Sequence, residues 1–294
     1  MTAPVYDTLI EPSELAERLS DPDVAVLDCR HELSKPQWGE QAYAESHIPG
    51  AVRASLDRDL SGPITPHSGR HPLPSLAAFT ATASDWGIDD AVQVVAYDQG
   101  NGAYAARAWW LLRSLGHARV AVLNGGFAAW LAGALQAIHA RSARPRRTFV
   151  PRAALTRPLT TAQVESALAR GDIRLVDARG ADRFAGQNET IDPVAGHVPG
   201  AVNHPFASNL DAQGRFLPRE ELRRRWQATA GGAAPQGIVA MCGSGVTACH
   251  NLLALELAGM PGASLYAGSW SEWIRDPARP VEAHSSQLTA HSPE

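Results

Sequence analysis

The sequence predicts an α/β protein of two tandem domains, each a mainly parallel sheet flanked by helices on both faces. Three observations carry that expectation. The chain has 294 residues, about twice the usual length of one domain. Short continuous apolar runs alternate with helix-patterned stretches, which suits strands buried on both faces of a parallel sheet. The chain also repeats itself.

The repeat is legible in paired segments. "VAVLDCR" (Val24–Arg30) leads to "HIPGAV" (His47–Val52), and "IRLVDAR" (Ile173–Arg179) leads after almost the same gap to "HVPGAV" (His197–Val202). Further on, "QVVAYDQGNGAYAARAWWLLRSLG" parallels "GIVAMCGSGVTACHNLLALELAG", and "VAVLNGGFAAW" parallels "ASLYAGSWSEW". In order along the first half, "VAVLD" reads as a strand, "LAAFTATASDWG" as a helix, "VVAYD" as a strand, "RAWWLLRSLG" as a helix and "VAVLN" as a strand; the second half follows the same plan. Between them "HARSARPRRTFVPRAALTRPL" (His139–Leu159) is basic, carries prolines and lacks either periodicity, so it reads as a linker lying across both halves. The expected boundaries are a first domain at 1–140, a linker at 141–158 and a second domain at 159–294. The tail from Asp276 to Glu294 reads partly as a strap closing the second domain and partly as a mobile end.

Composition narrows the function classes. Apolar residues make up 45% and charged residues 19%, and no uncharged apolar run approaches the roughly 18 residues a bilayer crossing needs. The start, "MTAPVYDTLIEPSELAERL", shows no secretory or transit pattern, so a cytoplasmic setting is expected. A net charge of −4 and a pI near 6.3 argue against a nucleic-acid surface. Cys29, Cys242 and Cys249 are an odd set without CxxC spacing, so neither a disulfide framework nor a thiolate zinc site is indicated. No metal constellation, phosphate-binding GxxxxGK[ST] or suitably placed GxGxxG stands out, and no cofactor is expected.

In open parallel sheets ligands bind beyond the carboxyl ends of strands, where Asp28, Asp98, Asp177 and Cys242 fall. Superposing the repeats sets Cys242 opposite Asp98, so the second half holds a nucleophile and the first is a degenerate partner. A loop running from a strand into a helix points backbone N–H groups inward, and the helix dipole adds partial positive charge. Gly243 and Gly245 permit the backbone conformations of such a cradle, while Ser244 and Thr247 add hydroxyls. That ring of donors favours thiolate over thiol and makes Cys242 a nucleophile with its own anion pocket. Cys249, about two turns into the helix, and Cys29, behind a buried strand, read as packing.

"CGSGVTA" (Cys242–Ala248), the paired "HIPGAV" and "HVPGAV", "LVDAR" followed by "RF", and "GSWSEW" (Gly268–Trp273) together resemble the tandem-domain rhodanese superfamily, over nearly the whole chain. The loop is similar to that of the branch using 3-mercaptopyruvate; thiosulfate users typically carry a more basic loop. The resemblance implies a ping-pong sulfurtransferase. Cys242 takes sulfur from a small anionic donor, becomes a persulfide and passes the sulfur to cyanide or a thiol, thioredoxin or another reductant among them. It also implies that Ser244 pairs with His71 of "SGRHPLP" and with Asp57 to shift a proton between donor thiol and leaving enolate. Arg183 of "ADRF" would bind the donor, over a loop of Gly243, Gly245, Val246 and Thr247.

One departure stands out. The family's second arginine falls in an "EPR"-like segment, whereas "AGQNETIDPVAGH" (Ala185–His197) has Asp192 in that place. A carboxylate there cannot grip a second anionic oxygen, which keeps thiosulfate as the alternative donor. Arg179 has a counterpart in Arg30, and His197 in His47, so these read as structural ion pairs and turn formers. Trp38 and Tyr104 are candidates for the pocket mouth. Two rival classes share the strand, cysteine and helix. A dual-specificity phosphatase needs an arginine six positions after the cysteine, where this chain has Ala248; a non-catalytic persulfide carrier would load once and turn over slowly.

Overall fold

The computed structural model describes residues 4–283 and contains two sheets of the same design. The first joins β1 (Leu9–Ile10), β2 (Val24–Asp28), β3 (Val52–Arg53), β4 (Gln93–Tyr97) and β5 (Val120–Leu123) in the order β1-β5-β4-β2-β3, with every pairing parallel. The second joins β6 (Pro158–Leu159), β7 (Arg174–Asp177), β8 (Val202–Asn203), β9 (Ile238–Met241) and β10 (Ser264–Tyr266) in the equivalent order β6-β10-β9-β7-β8. The long central strands are buried along their whole length, as continuous apolar runs require when helices cover both faces. Among the described residues no helix is long and apolar enough to cross a membrane.

The helix after β4, Ala105–Ser114, and the one after β9, Thr247–Leu257, are almost wholly buried because they pack on each other as well as on their own sheets. One apolar cluster therefore runs through both halves, taking in Leu27, Trp109, Trp110 and Leu112 with Leu252, Leu253 and Leu265. Polar ties cross the same boundary: His250 Nε2 meets the Asn101 carbonyl at 3.0 Å, and the Phe216 N–H donates to Asn124 Oδ1 at 3.0 Å.

The repeated motifs do repeated structural jobs. Arg30 pairs with Asp28 at 2.6 Å and Arg179 with Asp177 at 2.7 Å, all four side chains nearly sealed from solvent. His47 Nδ1 lies 2.7 Å from the Tyr43 carbonyl and His197 Nδ1 2.7 Å from that of Phe184, each imidazole stacked on the same aromatic ring. The glycines of the following turns, Gly50 and Gly200, take φ of 77° and 76°, which side chains resist.

The basic linker touches both halves unevenly. Residues 141–157 form no helix or strand; the Arg157 carbonyl accepts the Leu265 N–H of the second half at 2.9 Å, while the charged contacts go to the first domain. Arg144 donates to the carbonyls of Pro22 and Val24, Arg146 pairs with Asp85, Arg147 with Asp23 and Asp89, and Arg152 with Asp90. Asp23, before β2, and Asp89 and Asp90, before β4, with Asp85 at the end of the helix Leu76–Asp85, carry those carboxylates and attract the guanidiniums. The chain's closing strap reaches Glu282, which bridges to His197; the remainder of the tail lies outside the described residues.

Chain connections leave β7 and β9 on opposite sides, β7 towards β8 and β9 towards β10. The loops that leave their carboxyl ends diverge, and the crevice between those loops is the place such sheets offer a ligand.

Candidate active site

β9 ends at Met241, and Cys242 sits in that crevice with 2% of its surface exposed. Its Sγ accepts the Gly245 N–H at 3.1 Å. Gly245 has φ 79°, and a Cβ there would stand 2.4 Å from the Ala267 carbonyl oxygen, so this glycine answers both to conformation and to close approach. Gly243 corrects the expectation that both glycines serve backbone conformation. Its φ is not in the left-handed region; a Cβ there would instead stand 2.9 Å from Arg70 Nη2, so the residue keeps space open. The N–H groups of Gly243, Ser244, Val246 and Thr247 find no acceptor among the described residues, as is usual at a helix start. From beneath, Ser269 Oγ accepts the Cys242 N–H at 3.1 Å, while the N–H groups of Trp270 and Ser271 reach the carbonyls of Cys242 and Gly243 at 3.0 and 2.8 Å.

The first half shows what such a loop holds. The Asp98 carboxylate accepts the N–H groups of Gly100, Gly102, Tyr104 and Ala105 at 2.9 to 3.2 Å. A strand, loop and helix of the same plan thus binds an anion, and in this half the anion is its own side chain. The second loop is shorter, running from Cys242 to the helix start at Thr247 against Asp98 to Ala105.

Both domains wall the cavity at Cys242. It encloses about 240 Å³ between the loop residues Cys242, Gly243, Ser244, Val246 and Thr247, the post-β7 residues Ala178, Arg179, Gly180 and Arg183, and Arg70, His71 and Tyr104 of the first domain. Gly245 meets Sγ through its N–H without lining the wall. Tyr104 lines this cavity and also the neighbouring one beside Asp98 and Gln99, and Trp38 lines only the latter. Cys29 and Cys249 are sealed, and burial pushes the Cys249 thiol up to about 12, which fits packing.

Ser244 Oγ lies 2.7 Å from His71 Nδ1, both residues buried. Asp57 is looser: its Oδ1 is 3.6 Å from His71 Nε2, and 55% of its side chain is exposed, so it lies beyond an ordinary hydrogen bond. Burial first, then the charges of Arg107, Arg70 and His31, lower the His71 pKa to about 3. The imidazole is therefore neutral near pH 7.

Two guanidiniums that the sequence reading misses complete the site. Arg107, fully buried, has no carboxylate partner among the described residues; it donates to the carbonyls of Leu60, Gly245, His71 and Pro72 at 3.0 to 3.4 Å. It thus ties the His71 backbone to the cysteine loop. Arg70 pairs with Asp192, and its N–H donates to Ser271 Oγ at 3.0 Å. Arg183 is not an unpaired cation either: Nε and Nη2 hold the Glu189 carboxylate at 2.9 to 3.2 Å, and Nη2 also reaches Asp192 at 3.1 Å. Arg179 Nη1 closes the group 3.6 Å from Glu189. The Asp192 carboxylate, where the resemblance led one to expect a cation, turns onto two arginines, Arg70 and Arg183. Arg70 adjoins His71 in "GRHP", but nothing local says that this loop meets the second domain; Arg107 reads as one more helix residue in "ARAWW".

The Rhodanese-like domain profile matches residues 11–133 and again 160–276. A Pseudomonas aeruginosa protein called "Probable 3-mercaptopyruvate sulfurtransferase" is 49% identical over 275 residues, covering 93% of this chain and 97% of that one. The thiosulfate sulfurtransferase of Rattus norvegicus is 36% identical over 298 residues, covering 96% of each chain. Among solved structures, the 3-mercaptopyruvate sulfurtransferase from Leishmania major superposes with a TM-score of 0.83 at 33% identity, covering 94% of this chain and 77% of that one.

Proposed function

The chain belongs to the rhodanese-like family, and on that premise we propose that it is a sulfurtransferase acting on 3-mercaptopyruvate through a Cys242 persulfide. The observation that carries the choice of donor is the buried contact between Ser244 Oγ and His71 Nδ1 beside Cys242. Removing sulfur from a thiol donor requires a proton to leave that sulfur and a carbon to receive one, and a neutral hydroxyl–imidazole pair serves both.

In the first half-reaction the Cys242 thiolate attacks the donor thiol sulfur and the sulfur–carbon bond breaks. Its electron pair goes to the carbon as pyruvate enolate, and the thiol proton passes through Ser244 and His71 to that carbon. The products are pyruvate and a Cys242 persulfide anion, held by the loop's N–H groups. In the second half-reaction cyanide, or a thiol such as that of a thioredoxin, takes the outer sulfur and returns the Cys242 thiolate. Asp57, exposed and more distant, orients His71 weakly. Val246 and Thr247 complete the donor's seat. A reducing compartment such as the cytoplasm suits a chain whose Cys29, Cys242 and Cys249 are all unpaired.

Thiosulfate is the second reading, favoured by Asp192 in place of the family's arginine; its leaving sulfite needs no proton. The test is steady-state transfer to cyanide with each donor, beside Cys242→Ala. Larger kcat/KM with 3-mercaptopyruvate, and none in Cys242→Ala, is the expected result. A preference for thiosulfate overturns the donor, turnover by Cys242→Ala overturns the nucleophile, and a single round of loading without turnover leaves a carrier.

A further inference from the structure

We propose that the crevice of the first domain, beside Asp98, is a seat for the sulfur acceptor, and that it takes thiols carrying an ammonium group on a short chain. This deepens the reading above and rests on it for the persulfide that the acceptor meets.

The repeat places the crevice. His31 follows Arg30 and Asp98 follows β4, just as Gly180 follows Arg179 and Cys242 follows β9. The first half thus has an opening of its own at the carboxyl ends of its strands. It encloses about 500 Å³, and Gln213 and Gly214 of the second half line one side. Gly214 comes so near that a Cβ there would stand 3.0 Å from the Gly100 carbonyl oxygen. The space belongs to the packed pair of domains and not to one alone.

Its chemistry is opposite to that of the cavity at Cys242. No lysine or arginine lines it, whereas Arg70, Arg179 and Arg183 line the other. Its charged members are Glu32, exposed to solvent, and Asp98, whose carboxylate accepts four N–H groups. His31 adds an unclaimed polar group. The residue is only 8% exposed, neither ring nitrogen has a hydrogen-bond partner among the described residues, and the ring lines the crevice edge-on to Tyr104. Burial holds its pKa below the ordinary value, so the ring is neutral and can accept a hydrogen bond. Trp38 and Tyr104 supply aromatic rings. A carboxylate, a neutral imidazole and two aromatic rings together suit an ammonium group.

The two spaces meet. Asn101 and Tyr104 line both, and the consecutive residues Glu32 and Leu33 line one each, their Cα atoms about 3.8 Å apart. An aminothiol a few atoms long is of the size that spans this shared rim. Its thiol, having given its proton to solvent, attacks the outer sulfur of the persulfide. A new sulfur–sulfur bond forms, the bond to Cys242 Sγ breaks with its electron pair returning to Sγ, and the acceptor leaves as a persulfide. No further oxidant or reductant is required.

Cysteamine and 2-mercaptoethanol differ by an ammonium against a hydroxyl on the same two-carbon chain. Both are run as acceptors beside cyanide, using the donor that wild type turns over with cyanide, in wild type, Glu32→Gln and Glu32→Lys. An ammonium group also acidifies its own thiol, so the readout is the change between variants in the cysteamine-to-2-mercaptoethanol ratio of kcat/KM. Glu32→Gln is expected to lower that ratio about threefold and Glu32→Lys about tenfold, both effects fading as salt rises. S-methylcysteamine keeps the ammonium but has no thiol, and reads the crevice without turnover. Titrated by NMR, it is expected to shift the His31 ring resonances in wild type and to shift them less in Glu32→Lys. A ratio unmoved in both variants, or His31 resonances that S-methylcysteamine leaves in place, overturns the proposal. If wild type passes sulfur to no acceptor, cyanide included, while S-methylcysteamine still shifts His31, the sulfurtransferase reading fails together with the acceptor role, and only the ammonium site stands.

Discussion

Ser244 Oγ of the second domain and His71 Nδ1 of the first lie 2.7 Å apart, both buried at the wall of the cavity, so the proposed proton path draws on two chain segments 173 positions apart. Replacing Ser244 by Ala or His71 by Gln removes the path without removing the nucleophile. With 3-mercaptopyruvate, kcat/KM is expected to fall by about 10² or more; with thiosulfate, whose leaving group needs no proton, it is expected to change by less than about threefold. Donor-resolved kinetics of the two variants decide it, and equal losses with both donors would mean that the pair merely shapes the loop.

Arg107 is a buried cation that donates to four carbonyls. Arg107→Met would leave those acceptors without their donor at a cost of about 3 kcal/mol. Because the same guanidinium joins His71 to the Gly245 carbonyl, kcat is expected to drop about tenfold although Arg107 never meets the donor. Urea unfolding and steady-state kinetics on Arg107→Met and Arg107→Lys test this. Full stability and full kcat in the methionine variant would refute it.

Asp98 occupies the first half's cradle with its own charge. Asp98→Asn keeps the shape but replaces a carboxylate that accepts four N–H groups, and is expected to cost about 1–3 kcal/mol with kcat unchanged. A variant as stable as wild type in urea would show that the cradle does not need the charge.

Stability should decline on mild acidification. His71 and His250 both have pKa values lowered to about 3, burial being the first cause for each. Their unfolded values lie near the ordinary 6.5, so between those limits the unfolded chain binds more protons. The folded state is favoured fully above about pH 6.5 and loses that advantage as pH falls towards 3, by up to about 1.4 kcal/mol per pH unit for each histidine. Urea midpoints at about pH 7.5 and about pH 5, for wild type and His250→Gln, provide the check. The variant's midpoint should move less with pH; an identical shift would assign the acid sensitivity elsewhere.

What the sequence discloses and what it hides divide by range. The strands, the repeat and the cysteine loop are local: each is written in a few adjacent residues, and a buried parallel strand such as "VAVLD" needs no partner to be recognised. Arg183 is legible by resemblance, but its pairing with Glu189 and Asp192 is a matter of how one surface turn folds back. Arg70 and Arg107 are illegible for a stronger reason. Their partners, Asp192 for one and the Gly245 carbonyl for the other, lie 122 and 138 positions away, and no local pattern marks a side chain for a contact that exists only once two domains have packed. Gly243 reads in sequence as permitting a special backbone conformation, whereas its φ is ordinary and Arg70 stands where a Cβ would go, since a sequence shows that a side chain is missing and not what stands in the vacated space.

The linker's attachment to the first domain has a consequence for the history of the fold. Its arginines fasten it to the half it has just left, while the shared apolar cluster joins the halves. The repeat points to a duplication of one unit, and the copies have since ceased to be interchangeable. The second copy carries Cys242, while the first fills its own cradle with Asp98 and sets His71 and Arg107 against its sibling's loop. On the proposed mechanism neither copy is complete alone, and the redundancy of a repeat becomes mutual dependence.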